Sequence, residues 1–320
     1  MTLEEIYDPV KDDLKLVEDR LEQIAGSDIP LLSDMLEFAL LNVGKRLRPA
    51  LTLLSGKFYN YNLELLVPMA AAAEVLHIGT LMHDDIIDSS AIRHGKQAVY
   101  LRYGANNAIL LGDYLFSRAG SLAAMTDNLR VIKRFSETLM TISGGELREG
   151  RVNFDPSSAR DNYYQWISDK TACLFVMAAE CGSVLSGCPE GQVAALKDYA
   201  LNFGLAFQII DDILDFVGDQ SILGKPIGSD LSEGAITLPS IIYSELNPSD
   251  SIISEIIVQR RKELVPQAVG KVRSSGVIDD CRKIAGQFYL KACSSLEKLP
   301  DCQARRSLAA LAEFVIDREW

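Results

Sequence analysis

The chain has 320 residues, 48% of them hydrophobic, with 32 basic against 44 acidic side chains and a net charge of −12. That is ample apolar material for a substantial core, in one large domain or two average ones. The acidic balance argues against nonspecific nucleic-acid binding and against adhesion to anionic lipid, so any anionic ligand must be captured by local positive charge.

The N-terminus, Met1-Thr2-Leu3-Glu4-Glu5, lacks the basic and then apolar layout of a signal peptide. No uninterrupted apolar run reaches the roughly 18 residues of a membrane span, and a cytoplasmic protein without stable membrane insertion is expected. The six cysteines form no C-x-x-C pair. Several fall within helical apolar patterns, as reduced structural thiols do, and neither zinc nor a disulfide framework is indicated.

In chain order, breakers from Gly26 to Pro30 precede the first chemically distinctive run, Gly44-Lys45-Arg46-Leu47-Arg48-Pro49. Three cations within four positions suit an anion. Residues 67–82 then carry apolar side chains at three- and four-residue spacing, and the stretch from Met69 to Met82 is apolar on more than one face. A central helix is expected there.

That helix leads into Asp84-Asp85-Ile86-Ile87-Asp88, an acidic cluster in an apolar setting where uncompensated carboxylates are costly. In a helix Asp84 and Asp88 share a face, and their repulsion costs about 0.2–0.5 kcal/mol unless a cation intervenes. His77, two turns before Asp84, shares that face and joins Lys45 and Arg48 as a candidate phosphate contact. His83 reads as structural.

Arg93 follows the cluster, and a second helical pattern covers 105–125. Residues 171–186 form a third, entered through Asp169-Lys170-Thr171. The fourth, 193–217, ends in a second copy of the acidic pattern, Asp211-Asp212-Ile213-Leu214-Asp215, again in an apolar context. Gln208, three residues before Asp211, shares its face, where a neutral amide can orient a substrate. Lys225 lies beyond in Gly224-Lys225-Pro226, and a last helical pattern covers 278–297.

Alternation of the strand type is nearly absent and no connection is long enough to link domains. The expectation is an all-α fold over residues 1–320, a single large helical bundle around a central cavity. One acidic run alone is as readily a solvated helix face as a ligand set, but two copies in matching contexts point to metal. Hard oxygen ligands without a cysteine or histidine cluster suit Mg2+, which keeps waters and is completed by substrate phosphates. A diphosphate ligand is therefore expected.

These pieces in this order resemble the polyprenyl synthetase family, specifically the trans-isoprenyl diphosphate synthases of the geranylgeranyl and farnesyl type. The matching runs are Gly44–Pro49, Glu74-x-x-His77 with Leu81 to Asp88, Leu111-Gly112-Asp113-Tyr114-Leu115, Asp169-Lys170-Thr171-Ala172, Phe207 to Asp215, and Gly224-Lys225-Pro226-x-Gly228-x-Asp230-Leu231. The resemblance covers nearly the whole chain. It implies the isoprenoid synthase type of helical fold, a homodimer, and acidic motifs facing each other across the mouth of the cavity.

By that resemblance Asp84, Asp88 and Asp211, with Asp85, Asp212 and Asp215 in support, hold three Mg2+ ions per site once diphosphate is bound. Arg93, Lys170 and Lys225 bind the allylic diphosphate, while Lys45, Arg48 and His77 hold isopentenyl diphosphate. Thr171 and Gln208 face the reacting carbons.

Two positions depart from the family pattern. His94 stands where an arginine usually grips isopentenyl diphosphate, and an imidazole cannot reproduce a permanently charged planar fork, so weaker binding of that substrate is expected. Ala235 stands where the family usually has a lysine. Losing such a charge-assisted contact is worth about 1.5–3 kcal/mol, enough to slow ionisation without abolishing it.

Product length in the family is limited one or two turns below the first motif, where this chain has Thr80 and Gly79. These small residues predict an open cavity and products of geranylgeranyl length or longer, with Leu76 as its floor. The competing readings are a terpene cyclase, an irregular prenyl-coupling enzyme, and a catalytically weakened regulatory subunit of a prenyl synthase. The second acidic motif and the Lys45/Arg48 run speak against the cyclase.

Overall fold

A computed structural model describes residues 1–41, 44–93, 95–149, 159–218 and 226–318. Among them the only strands are Ile92–Arg93 and Lys96–Gln97, a two-residue antiparallel pair directly after the first acidic motif. The rest of the regular structure is helical. The fold is all-α, as the spacing of apolar residues requires.

The chain divides into two compact units, each discontinuous in sequence. The first takes Met1–Leu139, Leu174–Ala200 and Ser294–Leu311. It begins with α1 (Leu3–Tyr7), fixed by a capping box in which Thr2 Oγ1 accepts from the Glu5 amide while the Glu5 carboxylate accepts from the Thr2 amide. Then come α2 (Lys11–Ala25), α3 (Pro30–Leu40), α4 (Leu47–Gly56) and α5 (Leu63–Ile87).

The helix α5 is entered through an Asn62 side chain that accepts from the Glu64 amide. From Leu66 to Leu76 every residue of it is buried, because it packs against α2, α4 and α7 (Ala105–Ala124). Its length and mean hydropathy of 1.6 would suffice to cross a membrane, yet 78% of that stretch is buried inside the protein. Glu64 and Glu74 keep the apolar run short of a membrane span, and the burial of the helix marks it as a core element.

The pairing of α5 with α7 (reached through α6, Val99–Tyr103) is reciprocal. A Cβ on Gly79 would lie 2.9 Å from the ring of Phe116, and one on Gly112 would lie 2.1 Å from His83 Nε2. Each helix thus supplies a glycine socket for a ring from the other. His83 Nε2 also lies 3.2 Å from the Ile109 carbonyl oxygen and 3.6 Å from Asp113.

The second unit takes Met140–Cys173, Leu201–Cys293 and Ala312–Trp320. Here α8 (Leu129–Glu149), α9 (Ala159–Ile167), α10 (Cys173–Leu185) and α11 (Glu190–Val217) contribute in whole or part. They are followed by α12 (Ser229–Glu233), α13 (Leu238–Leu246), α14 (Ile252–Gln259), α15 (Val265–Ser274), α16 (Val277–Leu296) and α17 (Gln303–Ile316). The core of this unit is aliphatic, built on Ile209, Ile213, Phe216, Leu238, Ile241 and Val272. Burial pushes the thiols of Cys281 in this unit and of Cys181 in the first up to about 12, so they are inert packing groups.

Candidate active site

The first acidic motif closes α5. Its two outer carboxylates, Asp84 and Asp88, are half-buried, whereas Asp85 turns inward and is only 2% exposed. The two-stranded turn brings Arg93 back onto it: Arg93 Nε and Nη2 both donate to Asp85 Oδ1, at 2.8 and 2.6 Å. Burial raises the Asp85 carboxyl above the ordinary carboxylate range, and the charge and hydrogen bonds of Arg93 oppose that rise. The other oxygen, Oδ2, is buried and accepts no hydrogen bond from the described residues.

The second motif is arranged differently. Only Asp211 is exposed; Asp212 and Asp215 are each 1% exposed. Asp212 accepts from the Tyr163 hydroxyl at 2.5 Å and from Gln208 Nε2 at 2.8 Å. Burial, then repulsion from Asp230, pushes its carboxyl well above the ordinary value, against those two hydrogen bonds. Asp215 accepts from Ser229 Oγ and from the backbone amide of Asp230, tying α11 to the start of α12.

Asp211 meets a cation from the far end of the chain. Arg318 Nη2 donates to Asp211 Oδ1 at 3.1 Å and to the Phe207 carbonyl at 2.8 Å, with its guanidinium 4.1 Å above the Phe207 ring. No local pattern in the sequence marks Arg318 for this place.

Between Ser168 and Ala172 the backbone forms a π-helical turn, a widened geometry that recurs at functional sites. It holds Lys170 and Thr171. Arg148 and Gln165 pin Asp169 at 2.6 and 2.8 Å, and Gly145 has no side chain because Asp169 Cβ lies where its own would go. Lys170 reaches Glu146 at 2.8 Å.

Thr171 Oγ1 donates to Gln208 Oε1 at 2.7 Å. The Gln208 amide is thereby fixed from both ends, since Asp212 needs its NH2 and Thr171 needs its oxygen. A continuous chain of hydrogen bonds therefore runs from Thr171 through Gln208 and Asp212 to Tyr163. Tyr163 and Glu146 stand in no motif of the sequence; only their contacts identify them.

The basic run before α4 divides in two. Arg46, 9% exposed, does not face a ligand: Nε and Nη2 donate to the two oxygens of Glu18, Nη1 to Glu74, and Nη2 also to the Leu40 carbonyl. Burial works against its charge, but Glu18 and Glu74 outweigh that and hold its pKa above the ordinary arginine value. The reading of three cations on one anion is corrected to two, Lys45 and Arg48. Arg48 lies with its guanidinium 4.6 Å over the Phe175 ring, and His77 is half-buried on α5.

At the positions expected to set product length, Leu76 is fully buried and the Thr80 hydroxyl donates to the His77 carbonyl at 2.7 Å. The space beside Gly79 is filled by Phe116 rather than open. His94 and Lys225 lie outside the described residues. Ala235 sits in the turn after α12, its amide bonded to the Asp230 carbonyl at 2.9 Å. A Cβ on the adjacent Gly234 would lie 3.3 Å from Arg260 Nη1, so a cation stands beside this turn although the lysine is absent.

Among the described residues no three His, Cys, Asp or Glu side chains converge to hold an ion by themselves. Oxygen-only donors, some half-exposed and one with an unsatisfied buried oxygen, fit a hard cation that shares its coordination with phosphate and water.

The family model for polyprenyl synthetase matches residues 29–272. Octaprenyl diphosphate synthase of Escherichia coli K12 is 31% identical, over 100% of both chains. Heptaprenyl diphosphate synthase component 2 of Bacillus subtilis strain 168 is 32% identical, over 98% of this chain and 90% of the relative. A solved polyprenyl synthase from Caulobacter crescentus CB15, complexed with calcium and isoprenyl diphosphate, is similar with a TM-score of 0.95 at 31% identity, over 100% of this chain and 98% of that one. The chain belongs to the polyprenyl synthetase family.

Proposed function

We propose that this polyprenyl diphosphate synthase is a Mg2+-dependent trans-prenyltransferase that joins isopentenyl diphosphate to an allylic diphosphate. The observation that carries the reading is the division of its carboxylates: Asp84, Asp88 and Asp211 retain exposure, while Asp85, Asp212 and Asp215 are buried in fixed networks. Asp84 and Asp88 in the first motif, and Asp211 in the second, would each hold Mg2+ together with phosphate oxygens, and the buried carboxylates of each motif would hold their own neighbours in place. Mg2+ bound there would supply charge neutralisation for the departing diphosphate.

Lys170 and Lys225 would grip that diphosphate, with Arg93 steadying Asp85 as well. Lys45, Arg48 and His77 would hold isopentenyl diphosphate. The allylic C–O bond breaks, the electron pair leaving with diphosphate, and the double bond of isopentenyl diphosphate forms a C–C bond to the allylic cation. A proton is then lost to an oxygen of the released diphosphate. Thr171 and Gln208, mutually fixed, would orient the reacting carbons and spread the cation's charge without offering a nucleophile.

Products of geranylgeranyl length or longer are supported by the named products of the heptaprenyl and octaprenyl relatives; Phe116 fills the space beside Gly79, so of the two small residues only Thr80 still speaks for an open wall. A homodimer is supported by the exposed apolar side chains Ile109, Leu110 and Met125 along and just beyond α7. The burial of α5 within the protein speaks against its insertion into a membrane.

The test is to incubate the purified protein with Mg2+, labelled isopentenyl diphosphate and, separately, dimethylallyl, geranyl and farnesyl diphosphates, and to size the dephosphorylated products. Elongated all-trans alcohols of twenty or more carbons are expected. Coupling of dimethylallyl diphosphate with itself would instead establish irregular chemistry. The Bacillus subtilis relative is named as one component of a synthase, and this favours one second reading, a chain that needs a different partner subunit. Turnover by the purified chain alone would exclude it.

A further inference from the structure

We propose that Arg46 and the N-terminal helices are the positioning element of the isopentenyl diphosphate pocket, fixing Lys45 and Arg48 relative to His77 without touching the substrate. The inference rests on the reading of those three residues as the pocket.

Arg46 lies between the two proposed ligands with φ 53° and ψ 34°, a left-handed conformation that a residue with a Cβ keeps only where its surroundings over-determine it. They do so here. Four donor contacts of 2.6 to 3.0 Å fasten its guanidinium to Glu18, Glu74 and the Leu40 carbonyl. Two carboxylates face one guanidinium, so Arg46 is not offered to a phosphate. Its left-handed turn sets the direction in which the chain leaves Lys45 and enters α4 at Leu47-Arg48.

Glu74 lies three residues before His77 on α5, so the same cluster references the helix that carries the third ligand. A second fastening comes from α1, where the Tyr7 hydroxyl donates to the Lys45 carbonyl at 2.9 Å. Tyr7 and Glu18 both precede residue 29, where the match to the family model begins. A segment outside the matched region thus holds the backbone of a loop inside it.

The test compares Tyr7→Phe, Glu18→Gln and Lys45→Ala with the unaltered full chain. It measures KM for isopentenyl diphosphate, KM for the allylic diphosphate, kcat and thermal stability, with calorimetric binding of isopentenyl diphosphate to the purified chain as a readout that needs no turnover. Tyr7→Phe is isosteric and removes one hydrogen bond, so its KM and Kd for isopentenyl diphosphate should rise about fivefold. Glu18→Gln weakens a bidentate charged contact and should raise them about tenfold. The allylic KM and kcat at saturation should stay as they are.

If Lys45→Ala weakens isopentenyl diphosphate binding while Tyr7→Phe and Glu18→Gln leave it unchanged, the positioning role is overturned and the pocket stands. If Lys45→Ala leaves it unchanged, the pocket reading fails and this inference with it. A parallel rise in both KM values with a fall in thermal stability would show general loosening, which also overturns it.

Discussion

The two acidic motifs share a pattern of letters and differ in what the fold makes of them. In the first, the outer pair Asp84 and Asp88 stays accessible and the middle residue is buried against Arg93. In the second, only the leading Asp211 is accessible, and both other carboxylates are consumed by hydrogen bonds from Tyr163, Gln208, Ser229 and the Asp230 amide. A repeated motif therefore need not be a repeated site. One copy leaves two carboxylates accessible, the other leaves one and buries two in internal hydrogen bonds.

That contrast can be broken most sharply at the accessible positions. Asp84→Ala and Asp211→Ala should each lower kcat about a thousandfold, the scale of losing a preorganised electrostatic contact at the reacting centre, with the folded state intact by circular dichroism. Comparable losses from Asp215→Asn would erase the distinction between ligand and scaffold.

Asp212→Asn should cost about tenfold in kcat, because an amide can still accept from Tyr163 but holds Gln208 less firmly. Its effect on stability depends on pH. The folded-state pKa of Asp212 is raised, so its protonated form is the favoured one and the native state loses stability as pH climbs from the ordinary carboxylate value of about 4 towards that raised pKa. Asparagine has no such loss, so the melting temperature of the variant relative to the parent should increase with pH over that window. A flat difference would mean that Asp212 ionises without penalty.

The smallest effect concerns Arg318, whose partner Asp211 is about half exposed, with 51% of its side chain accessible. Removing the cation in Arg318→Gln should tighten Mg2+ binding by about threefold, a modest gain because solvent screens the Asp211 side of the pair although Arg318 itself is buried. Weaker Mg2+ binding would show that Arg318 orients Asp211 rather than competing for it.

The helical class and the main helices were legible because apolar spacing is a local property. The pattern at 193–217 became α11, Glu190–Val217, and the pattern at 67–82 became the middle of α5. The pattern at 171–186 became α10 only after a π-helical turn, because Lys170 and Thr171 sit in a segment shaped by Asp169, Arg148 and Gly145 rather than by apolar period.

The division of labour within each motif was not legible. Asp212 is scaffolding because Tyr163 reaches it from 49 residues away, and Asp211 meets a cation 107 residues downstream. Arg46 misled for the same reason, since its partners Glu18 and Glu74 each lie 28 residues away on opposite sides. Nothing in a run of three cations says which one the fold will spend on itself.

The exchanged sockets of α5 and α7 act as a dovetail joint. Gly79 receives Phe116 and Gly112 receives His83, each pair four residues along its own helix. With both tenons seated, neither helix can slide by a turn past the other, so the wall that α5 presents below Asp84 is shaped by side-chain size rather than by helix displacement. A bulky residue at position 79, one of the positions proposed to set product length, would strike Phe116 first. Evolution towards shorter products along this wall would then require the two positions to change together.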